Sequence, residues 1–175
     1  IVLPFWTNFL IRTYAWIVLL NTQGFLNKGL INMGVISEPL ELLYKPSAIV
    51  LGLLYAYIPL MILPIYSSLV RIDPAMKEAA INLGATPAQA FRQVTLPLAL
   101  PGVLIGAIFV FVPSVGNFIV PELLGGGKTI MVGNLIRDQF LKARDWPFGS
   151  VMALSMVIML CALFFIQARV NRRVL

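Results

Sequence analysis

The sequence lacks several residues on which enzyme and metal sites depend. It has no histidine, one cysteine and only 11% charged residues among its 175 positions. The absence of histidine excludes a histidine base or metal ligand, and the single Cys161 cannot form a disulfide within the chain. A P-loop is missing too, because Gly127, Lys128 and Thr129 match its end but the glycine required earlier is replaced by Glu122. The sequence predicts no catalytic residues, no metal site and no cofactor bound by this chain.

Long apolar runs take the place of the missing charges, since 59% of the residues are hydrophobic. Residues 46–70, 93–121 and 148–168 contain no Asp, Glu, Lys or Arg. Each run exceeds the roughly 20 helical residues that cross a hydrocarbon core. A fourth apolar region covers residues 1–20 and is interrupted only by Arg12. The pattern predicts an all-α membrane protein with about four transmembrane helices.

The formal net charge of +6 does not indicate nucleic acid as a partner. The basic residues are scattered and form no basic-aromatic stripe. In a membrane protein, basic residues more commonly lie beside the lipid headgroups. The cluster of Arg169, Arg172 and Arg173 favours a cytoplasmic C-terminus.

A short polar interruption between two apolar runs has the pattern of a docking element. Asp73 and Pro74 are typical of a helix start, and Gly84 is well placed to end that helix in a left-handed conformation. Thr86 and Gln89 then form the capping box of a second short helix. One face of the first helix carries Met76, Ala79, Ala80 and Leu83. Two short helices joined by a glycine would fit the groove of a partner protein.

This interruption resembles the coupling loop of membrane permeases in binding-protein-dependent ABC importers. The likeness rests on Glu-Ala-Ala-Ile-Asn-Leu-Gly at residues 78–84, followed by Leu96 and Pro97. Further segments resemble the spermidine/putrescine branch of these permeases, so that the likeness covers essentially the whole chain. They are residues 4–8, 12–16, 63–66, 123–126 and 145–149.

The resemblance implies a type I ABC importer permease fold, with residues 1–175 as one transmembrane domain of a multi-pass bacterial inner membrane protein. The expected spans are about 1–20, 47–70, 98–120 and 149–168. The expected cytoplasmic coupling loop is 71–97, and the expected external segments are 21–46 and 121–148. Family permeases usually have about two further spans before this region, so we expect the chain to be incomplete at its N-terminus.

The resemblance also implies a function and partners. The expected function is polyamine uptake along a path formed with a second, homologous permease. A periplasmic or surface solute-binding protein would deliver the substrate, and a dimer of separate ATPase subunits would bind ATP and magnesium. The residues expected to couple this chain to an ATPase are Glu78, Ala79, Ala80, Gly84, Leu96 and Pro97.

Polar and aromatic residues in or near the spans are candidates for the substrate path. A polycation favours carboxylates and aromatic faces. The candidates are Trp6, Asn8, Tyr14, Trp16, Tyr55, Asn117, Phe118 and Glu122. Two other uses of such residues stay open, namely hydrogen bonds between helices and an aromatic belt at the membrane interface.

Two alternatives to polyamine import stay open at this point. Permeases for ferric iron, sulfate, molybdate or phosphonates share the coupling loop, and Arg12 is compatible with an anionic cargo. A membrane scaffold or channel without ATP coupling is the other alternative, although it leaves the two capped helices without a purpose.

Overall fold

Helices form all the regular secondary structure of the part that the structure describes. The structure is a computed structural model that covers the backbone of residues 8–174 and the side chains of residues 8–169. No strand occurs in this range, which agrees with the predicted all-α class. The described helices are α1 (Phe9–Leu20), α2 (Phe25–Asn32), α3 (Pro46–Val70), α4 (Pro74–Asn82), α5 (Pro87–Ala90), α6 (Leu96–Val115), α7 (Ile119–Gly125), α8 (Val132–Asp138) and α9 (Trp146–Val174). Two π-helical segments, Phe91–Thr95 and Gln139–Ala143, lie before α6 and after α8.

Three described helical stretches are long and apolar enough to cross a membrane. They are Pro46–Val70, Pro87–Val115 and Trp146–Arg169. Each overlaps one of the charge-free runs of the sequence. The fourth span, expected at about residues 1–20, stays a prediction, because α1 is described for 12 residues and residues 1–7 lie outside the described part.

The span expected at about residues 98–120 is shorter in the structure than the apolar run of residues 93–121. Helix α6 ends at Val115 rather than near residue 120, and α7 begins anew at Ile119. The side chain of Asn117 holds this break, since its Oδ1 accepts a hydrogen bond from the Val120 amide at 3.0 Å. Its Nδ2 donates to the Tyr57 hydroxyl at 2.7 Å, and that hydroxyl donates to the Pro113 carbonyl at 3.2 Å. Glu122 therefore lies on a separate short helix and not at the end of the span.

The chain divides into two compact units. Unit 1 comprises Ile1–Tyr57 and Pro113–Met156, and unit 2 comprises Ile58–Val112 and Val157–Leu175. The core of unit 1 joins α1, α3 and α7. Its buried members are Leu20, Ala48, Ile49, Val120 and Leu124.

A single buried amide fixes the segment that follows α2 in unit 1. Asn27 is 1% exposed, and its Oδ1 accepts a hydrogen bond from the Leu40 amide at 2.9 Å. Its Nδ2 donates to the carbonyls of Leu40 and Asn21, at 2.8 Å and 3.2 Å. The Asn27 side chain thus forms with the Leu40 backbone the pair of hydrogen bonds that a neighbouring β-strand would form. These bonds fix the irregular segment after α2.

Close helix contact in unit 2 depends on two glycines, Gly102 and Gly106, spaced four residues apart on α6. A Cβ on Gly102 would lie 2.6 Å from the Pro64 carbonyl oxygen and would also meet Ser68. A Cβ on Gly106 would lie 3.0 Å from the Met61 carbonyl oxygen. Small residues at this spacing let two membrane helices approach closely, so α3 and α6 pack at backbone distance in unit 2.

We expect Gly102→Ala to destabilise the protein, because the new Cβ meets a backbone carbonyl that cannot move aside. The expected loss is about 1–3 kcal/mol. Thermal unfolding of the purified full-length protein in detergent measures it. Gly29→Ala is the matched control, since Gly29 lies inside α2 and its Cβ would meet nothing within 4 Å. Equal unfolding midpoints for the two variants would contradict the packing described for α3 and α6.

We expect Asn27→Asp to destabilise the segment after α2, although the two side chains have the same shape. The carboxylate keeps the acceptor for the Leu40 amide but loses both donated hydrogen bonds and faces two carbonyl oxygens. The expected loss is about 1–3 kcal/mol, measured by denaturant or thermal unfolding. Asn32→Asp, at an exposed position of α2, should stay within about 0.5 kcal/mol of the parent protein. A similar loss in both variants would show that added charge and not hydrogen bonding is responsible.

Candidate functional site

The two groups of residues predicted from the sequence lie in different units. The predicted coupling residues, from Glu78 to Pro97, belong to unit 2. The described pathway candidates belong to unit 1, and Trp6 lies outside the described residues. Each group is therefore described separately.

Helix α4 of unit 2 begins and ends as its sequence predicts. The Asp73 carboxylate accepts a hydrogen bond from the Ala75 amide at 2.9 Å, and Pro74 occupies the first helical turn. Gly84 has φ +89° after the helix, a conformation that glycine adopts without strain. The Ala85 amide donates to the Ala80 carbonyl at 3.1 Å, and the Gly84 amide donates to the Ile81 carbonyl at 2.9 Å. These two bonds form a Schellman motif, which satisfies the last carbonyls of α4.

The second short helix of the loop is capped in the predicted way. Thr86 Oγ1 accepts from the Gln89 amide at 3.3 Å, and the Gln89 side chain accepts from the Thr86 amide at 2.8 Å. Helix α5 then continues through the π-helical segment into α6, which begins at Leu96. Pro97 has no N–H to donate, so it cannot complete an α-helical ladder across this junction. Leu96 and Pro97 thus mark the transition from the loop to the span.

Helix α4 exposes apolar side chains that its own unit does not cover. It has no buried residue. Met76 is 50% exposed, and Leu83, just after the helix, is 89% exposed. Glu78 and Ala79 are exposed as well, and Ala80 is partly exposed. A rigid, capped helix with an uncovered apolar surface has the properties of a docking element for another protein.

The predicted aromatic candidates of unit 1 do not form one group. The rings of Trp16 and Tyr55 contact each other edge to face, with centroids 5.5 Å apart. Tyr14 is 55% exposed, and the ring contact of that pair does not include it. Asn8 caps α1, since its Oδ1 accepts a hydrogen bond from the Leu10 amide at 2.9 Å. Asn117 is 8% exposed, and its hydrogen bonds hold the break before α7.

Phe118 and Glu122, in contrast, share one local environment at the start of α7. The Arg137 guanidinium lies over the Phe118 ring, 5.5 Å from its centroid. The same guanidinium contacts the Glu122 carboxylate at 2.9 Å. The Arg137 side chain is 16% exposed and that of Glu122 is 43% exposed. The ring of the α7 N-cap residue and a carboxylate in the first turn of α7 therefore contact a cation that comes from helix α8.

Two further charges complete this arrangement, which we call the ion-pair cluster: Glu122, Arg137, Asp138 and Lys142. Arg137 donates twice to Asp138, at 2.7 Å and 2.9 Å, and Lys142 contacts Asp138 at 2.8 Å. Hydrogen bonds from Lys142 and then from Arg137 lower the pKa of the Asp138 carboxyl. The hydrogen bond to Asp138 is the main reason that the pKa of Arg137 is raised. Because the pKa of Asp138 is lowered on folding, its ion pairs are complete above the ordinary aspartate range, near pH 4, and are lost only as pH falls below it.

Sequence reasoning missed Arg137 and Asn134. Asn134 is 5% exposed, and its Nδ2 donates to the Phe118 carbonyl at 2.9 Å and more weakly to Glu122 at 3.4 Å. Its Oδ1 is buried, and among the described residues it has no hydrogen-bond partner. A local signal for α8 existed, because Asn134, Arg137 and Asp138 share a helix face by their spacing. The contact with α7 had no sequence signal.

Two other polar features of unit 1 have structural roles. Asp145 accepts a hydrogen bond from the Phe148 amide at 3.1 Å at the start of α9. The glycines before Lys128 form a turn, in which Gly126 and Gly127 have φ +59° and +71°. The Gly126 position also lies against the Tyr44 ring, which leaves no room for a Cβ.

Comparisons with known proteins agree with this arrangement of helices. A family model described as "Binding-protein-dependent transport system inner membrane component" matches residues 4–175. The spermidine/putrescine transport system permease protein PotB of Haemophilus influenzae is 44% identical over 98% of this chain. The chain spans 60% of the length of that relative.

Two solved structures show the same fold at low sequence identity. One is a bacterial ABC transporter involved in the import of the acidic polysaccharide alginate, with TM-score 0.74, 18% identity, and coverage of 98% of this chain and 63% of the other. The second is a bacterial alginate ABC transporter in complex with an alginate pentasaccharide-bound periplasmic protein, with TM-score 0.74, 15% identity, and coverage of 98% and 62%. The fold is thus that of a type I ABC importer permease, as predicted. From its family match over residues 4–175, the chain belongs to the inner membrane components of binding-protein-dependent transport systems.

Proposed function

We propose that the protein containing this chain is a permease subunit of an ABC importer for polyamines such as spermidine and putrescine. The observation that carries this proposal is the 44% identity to a spermidine/putrescine permease over 98% of the chain. The arrangement around Phe118 and Glu122 supports it, because a ring face and a carboxylate together attract an alkylammonium group. The other predicted pathway residues stay candidates.

The proposal includes partners that the chain needs for transport. A second, homologous permease would complete the path, and a solute-binding protein would deliver the polyamine. The alginate transporter solved with its periplasmic protein supports the second of these partners by fold alone. Two ATPase subunits would bind ATP and magnesium, and one of them would dock on the loop of α4 and α5. Its ATP-driven closure would move the spans between inward-facing and outward-facing states.

The geometry of α4 supports its role as the ATPase contact. The helix is capped at both ends by its own residues, so it keeps its shape without a partner. The exposed Met76 and Leu83 provide apolar area for a groove. The small side chains of Ala79 and Ala80 allow close approach of a partner backbone, and Glu78 is the exposed charge beside them.

We expect ATP-dependent uptake of labelled spermidine by the full-length protein reconstituted in proteoliposomes with its partner permease, ATPase and binding protein. Unlabelled putrescine should compete, whereas ferric iron and sulfate should not. Omission of ATP and omission of the binding protein are the controls. Uptake of sulfate or iron in place of spermidine would overturn the proposed substrate and leave the family membership intact.

We expect Gly84→Asp to lower polyamine uptake at least ten-fold while the complex still hydrolyses ATP. A side chain at φ +89° strains the end of α4 by about 1–2 kcal/mol, and the charge lies on the proposed docking surface. Uptake and phosphate release are measured on the same proteoliposomes. Gly84→Asn is the matched control, because asparagine has nearly the same shape as aspartate and adopts the left-handed conformation equally well, but adds no charge. It should keep most of the uptake. Full transport by the aspartate variant would contradict the assignment of this loop.

A further inference from the structure

The start of α7 holds a cation in the way that a cation-binding site does. The Arg137 guanidinium lies within the distance of about 6 Å at which a ring face attracts a cation. It also contacts one oxygen of the Glu122 carboxylate, Oε2, at 2.9 Å. The ring belongs to Phe118, the N-cap of α7, and the carboxylate belongs to Glu122 in the first turn of α7. The cation belongs to α8, where Asp138 also contacts it. A movement of the Arg137 side chain can therefore remove this guanidinium from Phe118 and Glu122.

Asn134 provides a second, independent indication of a site for a hydrogen-bond donor. Its Oδ1 is a buried acceptor without a partner among the described residues, on a side chain that is 5% exposed. The amide cannot simply be reversed, because Nδ2 donates to the Phe118 carbonyl at 2.9 Å. Its neighbour Glu122 is also an acceptor when ionised. An ammonium group, with three donors and a positive charge, satisfies such a pair of acceptors.

The hydrogen bonds of Arg137 to Asp138 lower the free-energy cost of replacing Arg137 by another cation at Glu122. Arg137 contacts Asp138 through both Nε and a terminal nitrogen, and contacts Glu122 through a terminal nitrogen alone. If it leaves Glu122, it keeps its partner Asp138 and does not become an uncompensated charge. Glu122 is 43% exposed, so a ligand can reach its carboxylate from solvent.

We propose that Phe118, Glu122 and Asn134 form a binding site for an alkylammonium group of the substrate, and that Arg137 is the internal cation that this group replaces. This inference rests on the proposed polyamine function. The competition with Arg137 lowers the affinity of the site. Weak binding suits a transport path, because a substrate that binds tightly along the way leaves slowly.

The test is direct binding of labelled spermidine to the full transporter complex in nanodiscs, without the binding protein. Arg137→Gln should raise the affinity about five-fold, the effect of removing one partly exposed competing charge. Glu122→Gln should lower the affinity by at least that factor. Arg144→Gln is the matched control, because it removes one positive charge from an exposed residue close by in the chain. It should leave the affinity unchanged within two-fold.

The outcomes separate this inference from the proposed function. If the parent complex imports spermidine but Arg137→Gln and Arg144→Gln bind it equally, the inference is wrong and the polyamine function stands. Unchanged binding in Glu122→Gln overturns the inference in the same way. If the parent complex neither binds nor imports spermidine, both the proposed function and the inference fail.

A measurement on the unaltered protein covers the case in which Arg137→Gln does not assemble. Phenylglyoxal modifies arginine side chains, and mass spectrometry gives the rate for each one. Spermidine should increase the rate at Arg137 at least two-fold, because the guanidinium loses its contacts with Glu122 and Phe118. Arg144 is the internal reference, and sodium chloride at equal ionic strength is the control for screening. A rate at Arg137 that spermidine leaves unchanged or lowers would overturn the inference.

Discussion

The hydrogen bonds of Asn117 are the interaction on which the arrangement of unit 1 depends. An amide without partners in an apolar environment costs several kcal/mol, so a break in a long apolar helix must satisfy its own polar groups. Asn117 does so with the Val120 amide and the Tyr57 hydroxyl, which in turn reaches the Pro113 carbonyl. Because the helix stops there, α7 begins as a separate helix, with Phe118 as its N-cap and Glu122 in its first turn, and both residues contact α8.

The loop of α4 and α5, unlike the break at Asn117, is fixed by hydrogen bonds among its own residues. The Asp73 cap, the Schellman motif at Gly84 and the capping box of Thr86 are all short-range interactions. A loop capped in this way needs no partner to satisfy its helix ends, so the proposed docking would cost less conformational entropy. The exposed apolar area of Met76 and Leu83 is consistent with that proposal.

The ion-pair cluster changes how the carboxylate of Glu122, a pathway candidate of the sequence, is interpreted. Glu122 is an attractive site for a polycation when it is considered alone. In the structure it already has a cationic partner, Arg137, which Asp138 holds in place. In the proposed site, a cation that binds at this position would therefore compete with Arg137, which the chain itself contributes.

The sequence by itself determined the features that depend on near neighbours or on composition. Three apolar runs without charge predict three long helices, and the caps at Asp73, Gly84 and Thr86 predict the two short helices α4 and α5. These predictions succeed because helix capping acts within a few residues and hydrophobic length is a property of one segment.

Only the tertiary structure decided where the apolar run breaks and what Glu122 contacts. Asn117 and Tyr57 are 60 residues apart in the chain, and Arg137 and Glu122 are 15 apart on different helices. No local pattern specifies such pairs, because their members are brought together only when the helices pack. The same physical reason explains why the sequence does not identify Asn27, Asn134 and Arg137: their partners Leu40, Phe118 and Glu122 lie 13, 16 and 15 positions away in the chain.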